Sequence, residues 1–154
     1  MALRVEFNDA LKDAMKARDQ RRVSTLRMVL AALKDRDIAN RTGENRAGIG
    51  DDEILTLLAK MIKQREESAS AYESGGRPEL AAGERDEIAI IRAFQPRQMT
   101  EQETRDAVSA TLAETGASAM KDMGRVMAAL KQHYAGQMDF GRAGGMVKEL
   151  LAGR

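Results

Sequence analysis

The sequence predicts an all-α protein in two parts, an N-terminal four-helix unit over residues 1–95 and a C-terminal three-helix unit over 97–154. Three observations lead there. Ala, Leu, Met, Glu, Arg and Lys dominate the composition, and all are strong helix formers. Apolar residues recur at helical spacing along most of the chain. Only two prolines, Pro78 and Pro96, interrupt the 154 residues.

Each element has its own signals. Leu3, Phe7, Leu11 and Ala14 form a stripe on a first helix, roughly 3–17. Arg18-Asp19-Gln20 interrupts it, and Asp19 is placed to cap the next helix. Val23, Leu26, Leu30 and Leu33 carry that second helix to about Ile38. Residues 41–50, with Gly43, Gly48 and Gly50 among polar neighbours, read as a mobile loop. A third helix starts at Asp51 or Asp52, buries Ile54, Leu57, Leu58, Met61 and Ile62, and continues to about Glu73 with Ala69 and Tyr72 as its later apolar contacts. Ser74-Gly75-Gly76 ends it, since glycine accepts the left-handed cap conformation. Pro78 suits the first turn of a fourth helix whose face is Leu80, Ile88, Ile91 and Phe94.

Gln95-Pro96 reads as the domain boundary, because proline disfavours a helical residue before it. Thr100-Glu101-Gln102-Glu103 is a capping box that starts the fifth helix, marked by Val108 and Leu112 and stopped at Gly116. The sixth helix covers 122–134 and the seventh about 143–152. A unit of under 60 residues is marginal when alone.

Composition excludes several classes. The chain has no cysteine, so disulfides, thiolate metal sites and a cysteine nucleophile are out. Tryptophan is absent and aromatics are sparse, so Leu, Ile, Val, Met and Ala fill the core. Residues 1–16 lack the continuous apolar core of a signal peptide, and no apolar run approaches the ~20 residues of a membrane span. The expectation is a cytoplasmic protein with no membrane contact. His133, the one histidine, falls where a cation suits the C-terminal end of the sixth helix. A Ser/His/Asp triad would need this residue, and no nucleophile elbow surrounds any serine. A Glu-x-x-His metal pair fails because Leu130 stands three before it. No Walker loop is present. Glu66 and Glu67, beside Lys63 and Arg65, read as a solvated face and not as paired acids. No catalytic residue, metal ligand or cofactor is expected.

Net charge is +1, but it is unevenly spread: residues 12–41 carry nine basic and four acidic side chains, and 66–87 carry seven acidic and two basic. The two stretches are either complementary helix faces or, for the first, a basic surface for an anionic partner.

Lys121-Asp122-Met123-Gly124-Arg125-Val126-Met127 opens the sixth helix with Met123, Val126, Met127 and Leu130 at helical spacing. Asp122 is placed to cap its first turn, Gly124 leaves that turn open to a close approach, and Lys121 and Arg125 add positive charge to the helix start. This run, with Glu114-Thr115-Gly116-Ala117 before it and Met146-Val147-Lys148-Glu149-Leu150-Leu151 after it, resembles the GatB/YqeY family. The blocks 26–34, 60–68 and Gly75-Gly76-Arg77-Pro78-Glu79-Leu80-Ala81 resemble the stand-alone YqeY proteins, so the likeness covers nearly the whole chain. It departs at 135–144, where the family usually shows a shorter Gly-Arg-Ala-Asp-Gly type turn.

The C-terminal part is similar to the tail of GatB, which contacts tRNA in the glutamine-dependent amidotransferase. The resemblance therefore implies a small helical protein that binds tRNA or another folded RNA, or an adaptor related to the amidotransferase. Lys121 and Arg125, with backbone N–H groups near Gly124, would meet phosphates, and Lys131, Arg142 and Lys148 would extend the patch. Sparse aromatics argue against stacking on single strands and for shape-based recognition. Two rivals stand beside this. One is a protein–protein adaptor that never touches RNA. The other is an accessory to carbon–nitrogen ligase activity with glutamine as amido-nitrogen donor, the family's enzymatic label. The oligomeric state is not readable from the sequence.

Overall fold

The computed structural model describes residues 2–41 and 48–153, and among them every regular element is helical. They divide into two compact units, Met1–Gln95 and Pro96–Arg154.

The N-terminal unit holds α1 (Ala2–Ala17), α2 (Gln20–Ala39), α3 (Asp51–Ser74) and α4 (Pro78–Arg92). α1 ends at Arg18, whose φ of 57° turns the chain left-handed, and the Asp19 N–H reaches back to the Ala14 carbonyl at 3.0 Å. Asp19 then caps α2 by accepting the Arg22 N–H at 3.2 Å. Most of the loop expected over 41–50 lies outside the described residues. Beyond it, Ile49 is buried, and α3 begins at Asp51. Gly76, with φ 72°, supplies the left-handed turn after α3, and Pro78 opens α4.

α3 lies along α4, α1 along α2, and α4 also packs on α2. Phe7, Val29, Ile54, Leu58 and Ile91 are each at most 1 % exposed at the centre of this unit. Leu57, Met61 and Ile62 are buried beside them, as the spacing on α3 predicts. Phe7 and Phe94 meet edge to face with ring centroids 4.8 Å apart. Each large side chain buried this way contributes about 1.5–3 kcal/mol by leaving water. One expected contact moves, and one shares its place. On α2, Leu30 packs partly buried against the core as expected, with Val29 and Thr25 fully buried beside it, and the Thr25 hydroxyl donates to the Arg21 carbonyl at 2.8 Å. On α4, Leu80 is 42 % exposed and its neighbour Ala81 is buried in its stead.

The C-terminal unit holds α5 (Glu101–Thr115), a 3₁₀ turn at Met120–Asp122, α6 (Met123–Tyr134) and α7 (Phe140–Ala152). The capping box forms, with the Glu103 N–H on Thr100 Oγ1 at 3.1 Å and the Thr100 N–H on Glu103 Oε1 at 3.0 Å. Val108, Leu112, Val126, Leu130, Ala143 and Val147 make the core. α7 starts at Phe140, three residues before the expected position, because Asp139 accepts the N–H groups of Gly141 and Arg142 at 2.9 and 3.2 Å and sets the first turn there. The divergent turn before α7 is tied down within the unit: the Met99 N–H donates to the Gln137 carbonyl at 2.7 Å, and the Gln98 amide donates to the Gly136 carbonyl at 2.5 Å.

Candidate nucleic-acid interface

The start of α6 differs from the expected capped helix. The 3₁₀ turn runs directly into α6, and the Met123 N–H is already bonded to the Met120 carbonyl. Asp122 therefore does not cap α6. Its Oδ2 turns back and accepts the N–H groups of Ser118 and Ala119 at 3.0 and 3.2 Å, closing the approach to the 3₁₀ turn. Its Oδ1 lies 3.3 Å from Arg125 Nη2. The Ser118 N–H, then that of Ala119 and the charges of Arg125 and Lys121, hold this carboxyl below the usual aspartate range against a partial cost of burial. The helical start expected at Asp122 is thus preceded by the 3₁₀ turn, and the Ser118 and Ala119 N–H groups ahead of it are taken by the Asp122 carboxylate. Gly124 itself faces open space, with no atom outside its own helix within 4 Å of where a Cβ would stand.

Lys121 and Arg125 converge on Asp122, and both are exposed. Lys131 on α6 and Arg142 and Lys148 on α7 are also exposed, and none of the three has an ion pair among the described residues. Arg125 and Lys131, like Arg142 and Lys148, stand six residues apart, about 240° around a helix. The cations therefore wrap the flanks of α6 and α7 and do not form one flat patch. Two of the three carboxylates on this half, Asp122 and Asp139, are turned onto backbone N–H groups. α5 carries Glu101, Glu103, Asp106 and Glu114, of which Glu101 and Glu103 are paired with Arg105 and Arg97.

In the N-terminal unit, Arg21 reaches α4 through the Gly83 carbonyl at 3.0 Å and Asp86 at 3.9 Å, which joins the basic and acidic stretches at that point. Glu66 pairs with Arg92 at 3.1 Å on an exposed face, while Arg65 leaves that face for Glu87 at 3.0 Å. His133 is exposed in the last turn of α6. Among the described residues no group of three or more His, Cys, Asp or Glu is placed to hold a metal ion. No described helix is long and apolar enough to cross a membrane. Sequence reasoning passed over Asp139 as a cap, and it passed over Met28, Ala31 and Ala39, which line an open trough on α2. For the latter the available signal was a second apolar spacing on α2, away from its core stripe.

A profile described as "Yqey-like protein" matches residues 4–151. Among curated proteins, "Altered inheritance of mitochondria protein 41, mitochondrial" of Kluyveromyces lactis is 31 % identical over 85 residues, 55 % of this chain and 44 % of its own length. The protein of the same description from Saccharomyces cerevisiae is 31 % identical over 86 residues, 54 % of this chain and 43 % of its own. That of Eremothecium gossypii is 30 % identical over 84 residues, again 54 % and 44 %. The match thus spans less than half the length of each of these relatives.

Proposed function

The chain belongs to the YqeY-like family, and we propose that it is a cytoplasmic, non-catalytic RNA-binding adaptor whose C-terminal unit docks on the phosphates of a folded RNA. Folded tRNA is the first candidate, on the resemblance of residues 114–127 and 146–151 to the GatB tail. The observation that carries this reading is the division of labour on α6 and α7. There the carboxylates of Asp122 and Asp139 accept backbone N–H groups, while Lys121, Arg125, Lys131, Arg142 and Lys148 are exposed, Arg125 pairing with Asp122. Cations spread over the flanks of two helices suit a curved backbone more than a single base edge. The open surface at Gly124 leaves room for a phosphate beside Lys121 and Arg125.

The test is binding of the full chain to folded tRNA across a salt series. Lys121→Ala with Arg125→Ala should weaken binding similarly for all tRNA sequences, and the slope of log affinity against log salt should shrink by about one to two units. Arg21→Ala with Arg22→Ala tests the other basic region. If only that second pair matters, the surface is N-terminal. If neither pair matters, or wild type fails to bind at low salt, the RNA reading is wrong. Glutaminase and ATPase assays on the same preparation test the ligase-accessory alternative.

A further inference from the structure

The N-terminal unit carries a trough that its own helices leave unfilled. α4 packs on both α2 and α3, but α2 and α3 barely meet. The gap between them is an open cavity of about 620 Å³. Its floor is apolar, with Met28, Ala31 and Ala39 from α2 and Leu57 and Met61 from α3. A further hollow of about 330 Å³ shares Met28 and Arg65 and continues it toward Ser68 and Glu84. Along α2 the stretch from Met28 to Ala39 runs about 16 Å, or roughly three helical turns.

α2 is therefore apolar on two sides. Val23, Leu26, Val29 and Leu33 face the core. Met28, 41 % exposed, lies on the other with Ala31 and Ala39, over the trough. A large apolar side chain left this open over an apolar floor marks a contact that is missing. The rim has a sign. Arg36 and Lys60 line the trough with no ion pair among the described residues, and Asp35 is the acid beside them. At the other end Arg65 is neutralised by Glu87.

The walls also restrict what fits. Both are helices whose interior backbone groups are already paired, so an extended peptide would find no ladder partners there. An occupant that satisfies its own backbone, a helix, meets no such cost. Ala31 and Ala39 present little bulk, which lets a helix approach at the short interaxial distances of well-packed pairs. Phosphate chains gain nothing from an apolar floor.

We propose that the trough between α2 and α3 takes an amphipathic helix of a protein partner, with bulky apolar side chains over Ala31 and Met61 and acidic side chains against Arg36 and Lys60. The site is in the other unit from the RNA surface and stands or falls independently of it.

The experiment is a selection of displayed helical peptides of about 16 residues, enough for four turns, on the full chain and in parallel on Ala31→Trp. Ala31 is exposed, so the variant keeps its fold, which circular dichroism checks. The expected clones carry apolar residues at i, i+3 or i+4, and i+7 with Asp or Glu on one flank. The strongest, labelled with fluorescein, should bind about tenfold or more weakly to Ala31→Trp and to Arg36→Glu with Lys60→Glu, as anisotropy reads it. A lysine-flanked copy of that peptide should reverse its preference between wild type and the charge-reversed double variant. Failure to enrich any clone over Ala31→Trp overturns the proposal, as do basic or extended clones. A wild-type dimer that Ala31→Trp dissociates would give the trough to a second copy, and displacement of the peptide by folded tRNA would give it to RNA; either result overturns it too.

Discussion

Arg4 and Asp37 form a two-point ion pair, Nη1 to Oδ2 at 2.7 Å and Nη2 to Oδ1 at 2.6 Å, that fastens α1 to the end of α2. The same two groups hold the chain leading into α3: Arg4 Nη2 donates to the Ile49 carbonyl and the Ile49 N–H donates to Asp37 Oδ1, both at 2.9 Å. Gly48 is confined by this clasp. Its φ is 86°, and a Cβ there would stand 2.7 Å from both Arg4 Nη2 and Asp37 Oδ1. Ile49, anchored this way, is buried in the core of the unit.

The clasp makes acid stability depend on Asp37. The Arg4 guanidinium, helped by the Ile49 N–H, holds this carboxyl below its ordinary value of 3.8, against the opposing effect of burial. A carboxyl depressed in the folded state stabilises fully above its unfolded value and loses that contribution as pH falls through the folded one. Asp37→Asn should therefore destabilise at neutral pH by about 1–3 kcal/mol, the usual cost of removing hydrogen bonds to a charged group. The gap between wild type and variant should narrow below pH 3.8. Urea titrations at a series of pH values read this directly. A gap that stays constant down to pH 2 or so would show that the pair does not report on folding.

Glu103 should titrate far from other glutamates. Arg97 grips it at 2.7 and 3.0 Å, and the Thr100 N–H donates to it as part of the capping box. These pull the carboxyl down to about 2, the Arg97 bond being the largest cause. Carbon-detected NMR of the side-chain carboxyls should show one glutamate with this midpoint, and Arg97→Ala should move it up toward 4.5.

Most of this architecture is written locally, and that is why it was legible. The stripes on α3 and α6 each face one neighbouring core, so spacing alone finds Leu58 and Val126. Asp19, Thr100 and Glu103 act on N–H groups within three residues and are found the same way. Other features are not local. Arg4 and Asp37 are 33 positions apart, and neither has a pattern that nominates the other. Asp122 has the residue type of a cap but points backward, because a 3₁₀ turn occupies the place where α6 would otherwise begin. Gly141, Gly144 and Gly145 dilute the period at the start of α7, so Asp139 goes unread. The trough depends on α2 and α3 failing to meet, which no stretch of sequence states by itself.

Leu58 tests the α3 face. It is fully buried among Ile54, Met61 and Ile91. Leu58→Ala should cost about 2–5 kcal/mol, the spread depending on how far the neighbours relax into the cavity. Chemical denaturation with an unchanged m-value is the measurement, and a loss near zero would place Leu58 outside the core.

Arg18 tests the turn between α1 and α2. Its left-handed φ of 57° costs a side-chain-bearing residue about 1–2 kcal/mol that glycine avoids. Glycine loses part of this through its larger unfolded-state entropy, roughly 0.5–1 kcal/mol. Arg18→Gly should leave a net stabilisation of about 0.5 kcal/mol, while Arg18→Val should destabilise, since a β-branched residue tolerates this region worst. Equal stability of the two variants would contradict the backbone geometry.

Ala93, Pro96 and Arg97 are exposed and outside any helix. From Gln98 onward the chain is held by the Gly136 and Gln137 carbonyls and by the capping box at Thr100. Brief digestion with a protease of broad specificity should therefore cut between Ala93 and Arg97 and spare Gln98 to Gly116. The released C-terminal fragment should keep its helical circular dichroism, because Val108, Leu112, Val126, Leu130 and Val147 bury one another within it. With under 60 residues it should also melt at lower temperature than the intact chain. Early cleavage inside α6, between Met123 and Tyr134, would mean that this core does not hold once the chain is cut, and that the C-terminal unit depends on the N-terminal one for its fold.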